Sequence, residues 1–228
     1  MLLLAIDTAG PNCAVALART SLGRPPILAR IEERVGRGHA ERLPPMVEAA
    51  LASAKAPYAD LGRVAVTTGP GSFTGVRIGI AFARGLALAL DIPAIGIGSL
   101  DALAYPLAQS GKGTIAAVLD AKRGEVYALV RDMASGAALV EAQALRIEDL
   151  ALRLSHAERP ITLTGAGARL VADGLGNPDA AIMGEAEAPD IADVVALALD
   201  AAAYEPPRPL YGRGADAKPQ FDKALARL

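Results

Sequence analysis

The sequence predicts an α/β protein of two lobes, in which mixed β-sheets are flanked by helices. Its 228 residues are 52% hydrophobic and 21% charged, which is enough apolar side chain for a substantial core. Three strand-like runs open the chain, and alternating strand and helix patterns follow them. The same succession begins again after a polar loop near residue 110. We therefore predict an N-terminal lobe over 1–108 and a C-terminal lobe over 109–228.

The first lobe opens with three predicted strands joined by short turns, which form an antiparallel meander. An apolar stripe at helical spacing then predicts a helix over 39–55. A strand, helix, strand and helix follow, and this order implies a parallel crossover. The predicted strands are 2–7, 13–19, 26–33, 64–68 and 92–97, and the two later helices are 74–90 and 100–107.

The second lobe repeats this plan, with a strand ending at Asp120 as the first strand of the chain ends at Asp7. A Gly165-Ala166-Gly167 turn follows its last predicted strand. An alanine-rich helix over 191–204 is the element that could pack back on the first lobe. The predicted strands are 114–120, 125–131, 138–141 and 160–164, with a helix over 147–154.

The composition argues against several classes of function. A net charge of −2, with three Phe, five Tyr and no Trp, leaves little to hold phosphates or stack bases. The single cysteine, Cys13, lies in an apolar run and excludes an intramolecular disulfide. The two histidines, His39 and His156, share no ligand spacing, so neither a histidine metal site nor a Ser-His-Asp triad is expected. We place His39 on a helix surface.

No membrane association is expected from the apolar segments. The apolar run at the N-terminus is too short for the core of a signal peptide. The stretch over 78–90 is interrupted by Arg84 and is shorter than a membrane span. The expected location is cytoplasmic.

The glycine-rich segment Gly69-Pro70-Gly71-Ser72-Phe73-Thr74-Gly75 lies between a predicted strand and a predicted helix. Free amides at the start of a helix can hold an anion, but no Gly-Lys-Ser/Thr follows, so this is not a Walker A loop. The simpler interpretation is a tight turn with Ser72 or Thr74 as the helix N-cap. The candidate cofactor-binding residues are Asp7, Gly69, Gly71, Ser72 and Thr74.

Asp7 is a candidate because Asp7-Thr8-Ala9-Gly10 resembles the phosphate loop of actin-like ATPases and sugar kinases. In those proteins an Asp at this place positions magnesium, and the third residue is a glycine. Here the third residue is Ala9, and we favour a role in which Asp7 accepts hydrogen bonds within a turn.

Small residues recur every four positions along the predicted helix 74–90. A glycine inside a helix costs up to about 1 kcal/mol relative to alanine, so a closely approaching element should offset that cost. That element is either the sheet of the same lobe or a partner helix. We hypothesise a partner interface formed with the helix 39–55. The predicted interface residues are Leu43, Val47, Gly75, Gly79, Ala83 and Ala87.

The segments 69–79, 83–87 and 95–101 together resemble the bacterial TsaB (YeaZ) family. The opening residues 5–8, the segment 38–44 and the tail 211–219 match the same family. The resemblance therefore runs from end to end, and residues from about 130 to 200 match mainly in layout.

The resemblance implies an actin-like ATPase (ribonuclease-H-like) fold and a role in forming N6-threonylcarbamoyladenosine in tRNA next to the anticodon. The implied partners are the catalytic subunit TsaD and the ATPase TsaE, with a homodimer in isolation and tRNA reached only through the complex. TsaD holds a metal with a His-x-x-x-His pair, and Ser99 and Leu103 occupy those positions here. Neither replaces an imidazole. The resemblance thus implies a non-catalytic scaffold with no metal and no cofactor of its own, although a nucleotide at the interface stays open.

Two further hypotheses remain. An actin-like small-molecule kinase would use Asp7 and the loop 69–75 to bind ATP. A metal-dependent peptidase would need ligands that the sequence lacks. Phosphotransfer by the isolated chain would favour the kinase, whereas activity that needs a TsaD partner would favour the scaffold.

Overall fold

The computed structural model describes residues 1–20, 26–108, 112–176, 180–201 and 206–211. The first sheet has five strands in the order β3-β2-β1-β4-β5. The central strand β1 pairs with β2 antiparallel and with β4 parallel. The outer pairs are antiparallel for β2 with β3 and parallel for β4 with β5. The strands are β1 (Leu2–Asp7), β2 (Asn12–Arg19), β3 (Ile27–Arg34), β4 (Leu61–Thr67) and β5 (Ala94–Ile97).

Helices cover both faces of the first sheet. Helices α1 (His39–Ser53) and α2 (Phe73–Leu90) cover one face, where they form a core with Leu4, Ile6 and Val66. The other face packs against α6 (Ile191–Asp200) and part of α3 (Ser99–Ala108). Because β1 is buried on both faces, it is an uninterrupted apolar run, which is typical of a central strand.

The second sheet repeats the plan of the first, as the sequence predicts. Its order, β10-β9-β6-β7-β8, gives the same succession of three antiparallel strands and two parallel ones when it is followed outward from β6. Helices α4 (Ile147–Ser155) and α5 (Ala168–Leu175) contact each other and pack on this sheet. The strands are β6 (Thr114–Lys122), β7 (Glu125–Asp132), β8 (Ala138–Arg146), β9 (Ile161–Thr164) and β10 (Ala180–Gly184).

The chain returns to the first lobe after β10. Helix α6 packs on β1, β2 and β4, and residues 206–211 lie beside the ends of β4 and β5. Within the described part of the predicted C-terminal lobe 109–228, α6 and residues 206–211 therefore pack on the first lobe. Of the predicted helix 191–204, α6 accounts for residues through Asp200, and residues 202–204 lie outside the described part.

Helix α2 is longer than the apolar stretch identified in the sequence. It has 18 residues with a mean hydropathy of 1.5, which by length and composition alone is enough to cross a membrane, whereas the stretch 78–90 considered in the sequence is only part of it. Its buried residues pack on β1 and β4 of its own lobe, and Arg77 and Arg84 lie on its exposed side. Helices in the core of soluble proteins can have the same length and hydropathy, so one such helix is weak evidence for a membrane span.

Candidate functional site

A cleft of about 530 Å³ separates the two lobes. The β1–β2 turn and the loop before α2 form its wall on the first lobe, and the end of β6 with Tyr127 of β7 forms its wall on the second. The connection from β10 to α6 closes one end. The residues that line it include Ala9, Gly10, Gly71, Ser72, Ser99, Asp120, Lys122, Tyr127 and Glu187.

Asp7 is only 1% exposed and is not among the residues that line this cleft. Its Oδ1 accepts hydrogen bonds from the Ala9 amide at 2.9 Å and the Thr67 hydroxyl at 2.5 Å. Its Oδ2 is buried without a partner. Burial raises the pKa of Asp7, and the two hydrogen bonds oppose that effect. The predicted role of Asp7 as a turn acceptor is confirmed.

The glycine-rich loop folds onto the β1–β2 turn. The Ser72 amide donates to the Ala9 carbonyl at 2.7 Å, and a Cβ added at Gly71 would overlap the same carbonyl oxygen. The Ser72 hydroxyl accepts from the Gly75 amide at 3.2 Å and is the N-cap of α2. Thr74 is an exposed residue of the first turn. The two candidate phosphate loops therefore contact each other, and the N-cap interpretation of Ser72 is confirmed.

The second lobe contains a turn equivalent to that of Asp7. Asp120 Oδ1 accepts from the Lys122 amide at 2.7 Å, two residues ahead, just as Asp7 accepts from Ala9. Asp120 lines the cleft, and its other oxygen binds the Lys122 ammonium at 2.6 Å. This hydrogen bond lowers the pKa of Asp120, whereas burial raises that of Asp7. The repeated turn thus places one carboxylate in the interior and the other at the cleft.

The small-residue face of α2 is directed into its own lobe, which corrects the predicted interface. A Cβ added at Gly75 would overlap the Thr8 carbonyl oxygen, and one at Gly79 would overlap the Thr8 hydroxyl. The Thr8 hydroxyl itself donates to the Gly75 carbonyl at 2.8 Å. The glycines allow β1 to approach α2, so no partner helix is needed to explain them. All six predicted interface residues are buried within the chain: Leu43, Val47, Gly75, Gly79, Ala83 and Ala87.

The exposed side of α2 carries a row of residues at helical spacing that the sequence analysis did not identify. Among these residues, Leu88 is 85% exposed. The helix contains two arginines and no acidic residue, so this side is both cationic and apolar. The only signal in the sequence was the helical spacing of Leu88 from Arg77 and Arg84. We call this set the outer stripe, and it consists of Phe73, Arg77, Ala81, Arg84 and Leu88.

The positions expected to correspond to the metal-binding histidines do not fit a metal. Ser99 and Leu103 are both buried at the start of α3, and Leu103 packs in a core with Leu100. A leucine offers no donor atom. Across the described ranges, no group of three or more His, Cys, Asp or Glu side chains could hold a metal ion. His39 is buried at 5% exposure, so its predicted surface position was wrong, and His156 is exposed.

Comparison with known proteins identifies the family. A family model described as TsaD, tRNA N6-adenosine threonylcarbamoyltransferase, matches residues 31–164. The tRNA threonylcarbamoyladenosine biosynthesis protein TsaB of Bacillus subtilis is 33% identical over 167 residues, which cover 72% of this chain and 71% of that protein. The chain belongs to the TsaB (YeaZ) family. The Escherichia coli TsaB is 41% identical over 128 residues, and this match spans only about half of that protein, 53%.

Solved structures of the TsaB (YeaZ) family extend the likeness to nearly the whole chain. YeaZ from Pseudomonas aeruginosa is 30% identical, with a TM-score of 0.74 over 92% of this chain and 100% of that one. A second solved structure, described as an uncharacterized protein with similarity to peptidase YEAZ from Pseudomonas aeruginosa, is 31% identical, with a TM-score of 0.77 over 93% of this chain and 99% of that one. The repeated five-stranded sheets are thus the two-lobed actin-like ATPase (ribonuclease-H-like) fold.

Proposed function

We propose that this chain is a non-catalytic scaffold subunit in the formation of N6-threonylcarbamoyladenosine in tRNA, acting with a TsaD catalytic subunit and a TsaE ATPase. The observation that carries the proposal is a TsaB-family fold with buried Ser99 and Leu103 where the catalytic relative is expected to hold its metal. A subunit of this fold without those donors can contribute a surface, but not the metal-dependent transfer. In this proposal the chain has no cofactor of its own and is located in the cytoplasm.

The surface that we propose for the TsaD subunit is the exposed side of α1 and α2. The two helices contact each other on one face of the first sheet. The outer stripe of α2 is exposed, and α1 also has exposed residues, which include Pro45 and Ala49. An exposed leucine such as Leu88 is the kind of side chain that gains most from burial in a partner, roughly 2 kcal/mol for a leucine. The same surface would join two copies in isolation.

The kinase hypothesis has less support. A phosphate loop must leave its backbone and its carboxylate available to the nucleotide. Here the Ala9 amide already donates to the Asp7 carboxylate and the Ser72 amide to the Ala9 carbonyl, and the Asp7 carboxylate is buried under the turn. The peptidase hypothesis needs a metal site, and the donor set around Ser99 does not supply one.

Reconstitution tests the proposal. TsaD and TsaE from the same source, with ATP, threonylcarbamoyl-adenylate and unmodified tRNA, are assayed for the modified nucleoside with and without this chain. We expect modification only when all the proteins are present, and none from this chain alone. Transfer by the chain alone, or full activity in its absence, would refute the scaffold role.

A pair of matched variants tests the surface. Leu88→Glu puts a charge in the outer stripe of α2, whereas Leu152→Glu makes the same change at a leucine of α4 that is 65% exposed on the second lobe. Both variants should fold, because neither leucine is buried. We expect Leu88→Glu to weaken TsaD binding and nucleoside formation at least tenfold, and Leu152→Glu to leave both unchanged. Equal behaviour of the two variants would place the interface elsewhere.

A further inference from the structure

The C-terminal segment 206–211 is fastened across the first lobe next to the start of α2. The Leu210 amide donates to the Thr68 carbonyl at 2.8 Å, as an added strand would. Pro207 is buried, and its Cα lies 3.2 Å from the place where a Cβ of Gly96 would stand. Gly96 therefore leaves room for this segment, which brings Tyr211 to the first turn of α2.

Tyr211 forms a compact group with two residues of the outer stripe. The Arg77 Nε donates to the Tyr211 hydroxyl at 2.8 Å. The guanidinium carbon lies 3.8 Å from the centroid of the Phe73 ring and 5.4 Å from that of the Tyr211 ring, and the ring centroids are 5.4 Å apart. All three distances are within the range of cation–π and aromatic pairing. We call Phe73, Arg77 and Tyr211 the aromatic cluster.

The aromatic cluster is ordered by its own contacts but stays exposed to solvent. Phe73 is 57% exposed and Tyr211 is 47% exposed, so much of each ring faces water. Tyrosine and arginine are among the residues most enriched where binding energy is concentrated at protein interfaces, and phenylalanine is enriched at interfaces as well. The cluster is continuous with Arg84 and Leu88 along one side of α2, so it extends the surface already proposed for the partner.

The charge of this surface indicates the chemistry of its partner. Helix α2 supplies Arg77 and Arg84 and no acidic side chain, and Arg208 is exposed on the adjoining segment. Stacking on the Phe73 ring and the hydrogen bond to the Tyr211 hydroxyl hold the Arg77 guanidinium in one orientation, which lowers the entropy lost when it binds a carboxylate. A partner surface with carboxylates among apolar side chains would complement both the charge and the rings.

We propose that the aromatic cluster, assembled when residues 206–211 dock on the first lobe, binds an acidic, apolar surface of the TsaD catalytic subunit. This inference rests on the proposed function and adds the C-terminal segment to the contact surface. Tyr211 and Phe73 supply the apolar contact, and Arg77 supplies the charged one. Binding therefore depends on a residue far from α1 and α2 in sequence.

The test measures the affinity of the full-length chain for TsaD by titration calorimetry. Tyr211→Ala and Phe73→Ala each remove one ring, and Tyr58→Ala removes a tyrosine that is 36% exposed elsewhere on the same lobe. We expect the first two to raise Kd at least tenfold and Tyr58→Ala to change it less than twofold. Arg77→Gln should weaken binding and reduce its dependence on salt, because one charge pair is lost. Circular dichroism and Tm verify that each variant is folded.

Each outcome decides between the inference and the proposed function. If the unchanged protein does not bind TsaD, the proposed function fails. If it binds and Leu88→Glu disrupts binding, but both ring variants bind normally, only this inference is overturned. A loss confined to Tyr211→Ala would also overturn it, since the segment would then matter without the ring surface. If the ring variants impaired only self-association, or only tRNA binding by the lone chain, the cluster would bind a different partner, and this inference would be overturned.

Discussion

Two glycines of α2 provide a matched test of why small residues recur along it. Gly75 faces the interior, where an added Cβ would come closer than 3.0 Å to the Thr8 carbonyl oxygen. Gly85 lies on the exposed side of the same helix, where an added Cβ would meet nothing within 4 Å. The substitutions Gly75→Ala and Gly85→Ala therefore share the same gain in helix propensity and differ in the space available.

The two substitutions should change the free energy of unfolding in opposite directions. Alanine in place of a helical glycine stabilises by up to about 1 kcal/mol, and this is the whole expected effect at Gly85. At Gly75 the overlapping atom belongs to the backbone and cannot rotate away. Overpacking costs typically 1–3 kcal/mol, and we take about 3 kcal/mol here. The Gly75→Ala variant should thus be less stable than the unchanged protein by about 2 kcal/mol, and its Tm should fall by about 4–8 °C.

Urea unfolding followed by circular dichroism, together with thermal unfolding, measures both variants. The order of stability should be Gly85→Ala, then the unchanged protein, then Gly75→Ala, with about 3 kcal/mol between the extremes. If Gly75→Ala were as stable as the unchanged protein, close packing of α2 on β1 would not be the reason for glycine. A side chain at Gly79 would likewise overlap the Thr8 hydroxyl, so a substitution such as Gly79→Leu would disturb folding as well as any partner contact.

Two other predictions concern the cap of α2 and the buried carboxylate. Ser72→Ala should lower the free energy of unfolding by about 1 kcal/mol because it removes the acceptor for the Gly75 amide, whereas Thr74→Ala should change it little. An equal loss in both variants, measured in urea, would contradict the assignment of Ser72 as the cap. Because the folded pKa of Asp7 is raised, its contribution to stability is fully present below its unfolded pKa and is lost as pH rises through the folded value. The stability of Asp7→Asn relative to the unchanged protein should therefore grow as pH rises from about 4. Parallel urea midpoints over that range would show that Asp7 carries no such cost.

Local patterns were sufficient to predict most of the first sheet and the repeat. The strand Leu2–Asp7 has the predicted bounds because a central strand buried on both faces is a continuous apolar run. The pattern after Gly167 was weaker, and both α5 and β10 were missed. Helix α5 has only two buried residues and β10 has none, so neither carries a strong hydrophobic signal. The repeat of the first lobe was the only guide that would have placed them.

The sequence by itself determined the fold class and the repeated plan, and it reduced the choice of N-cap for α2 to Ser72 or Thr74. These depend on residue type, local spacing and resemblance, which can be examined without coordinates. Only the tertiary structure decided which side of α2 is buried, because both sides are largely apolar and the Thr8 backbone selects the one with glycines. The aromatic cluster likewise joins residues 134 positions apart in sequence, Arg77 and Tyr211. Its existence depends on how the chain returns to the first lobe, and no local pattern contains that information.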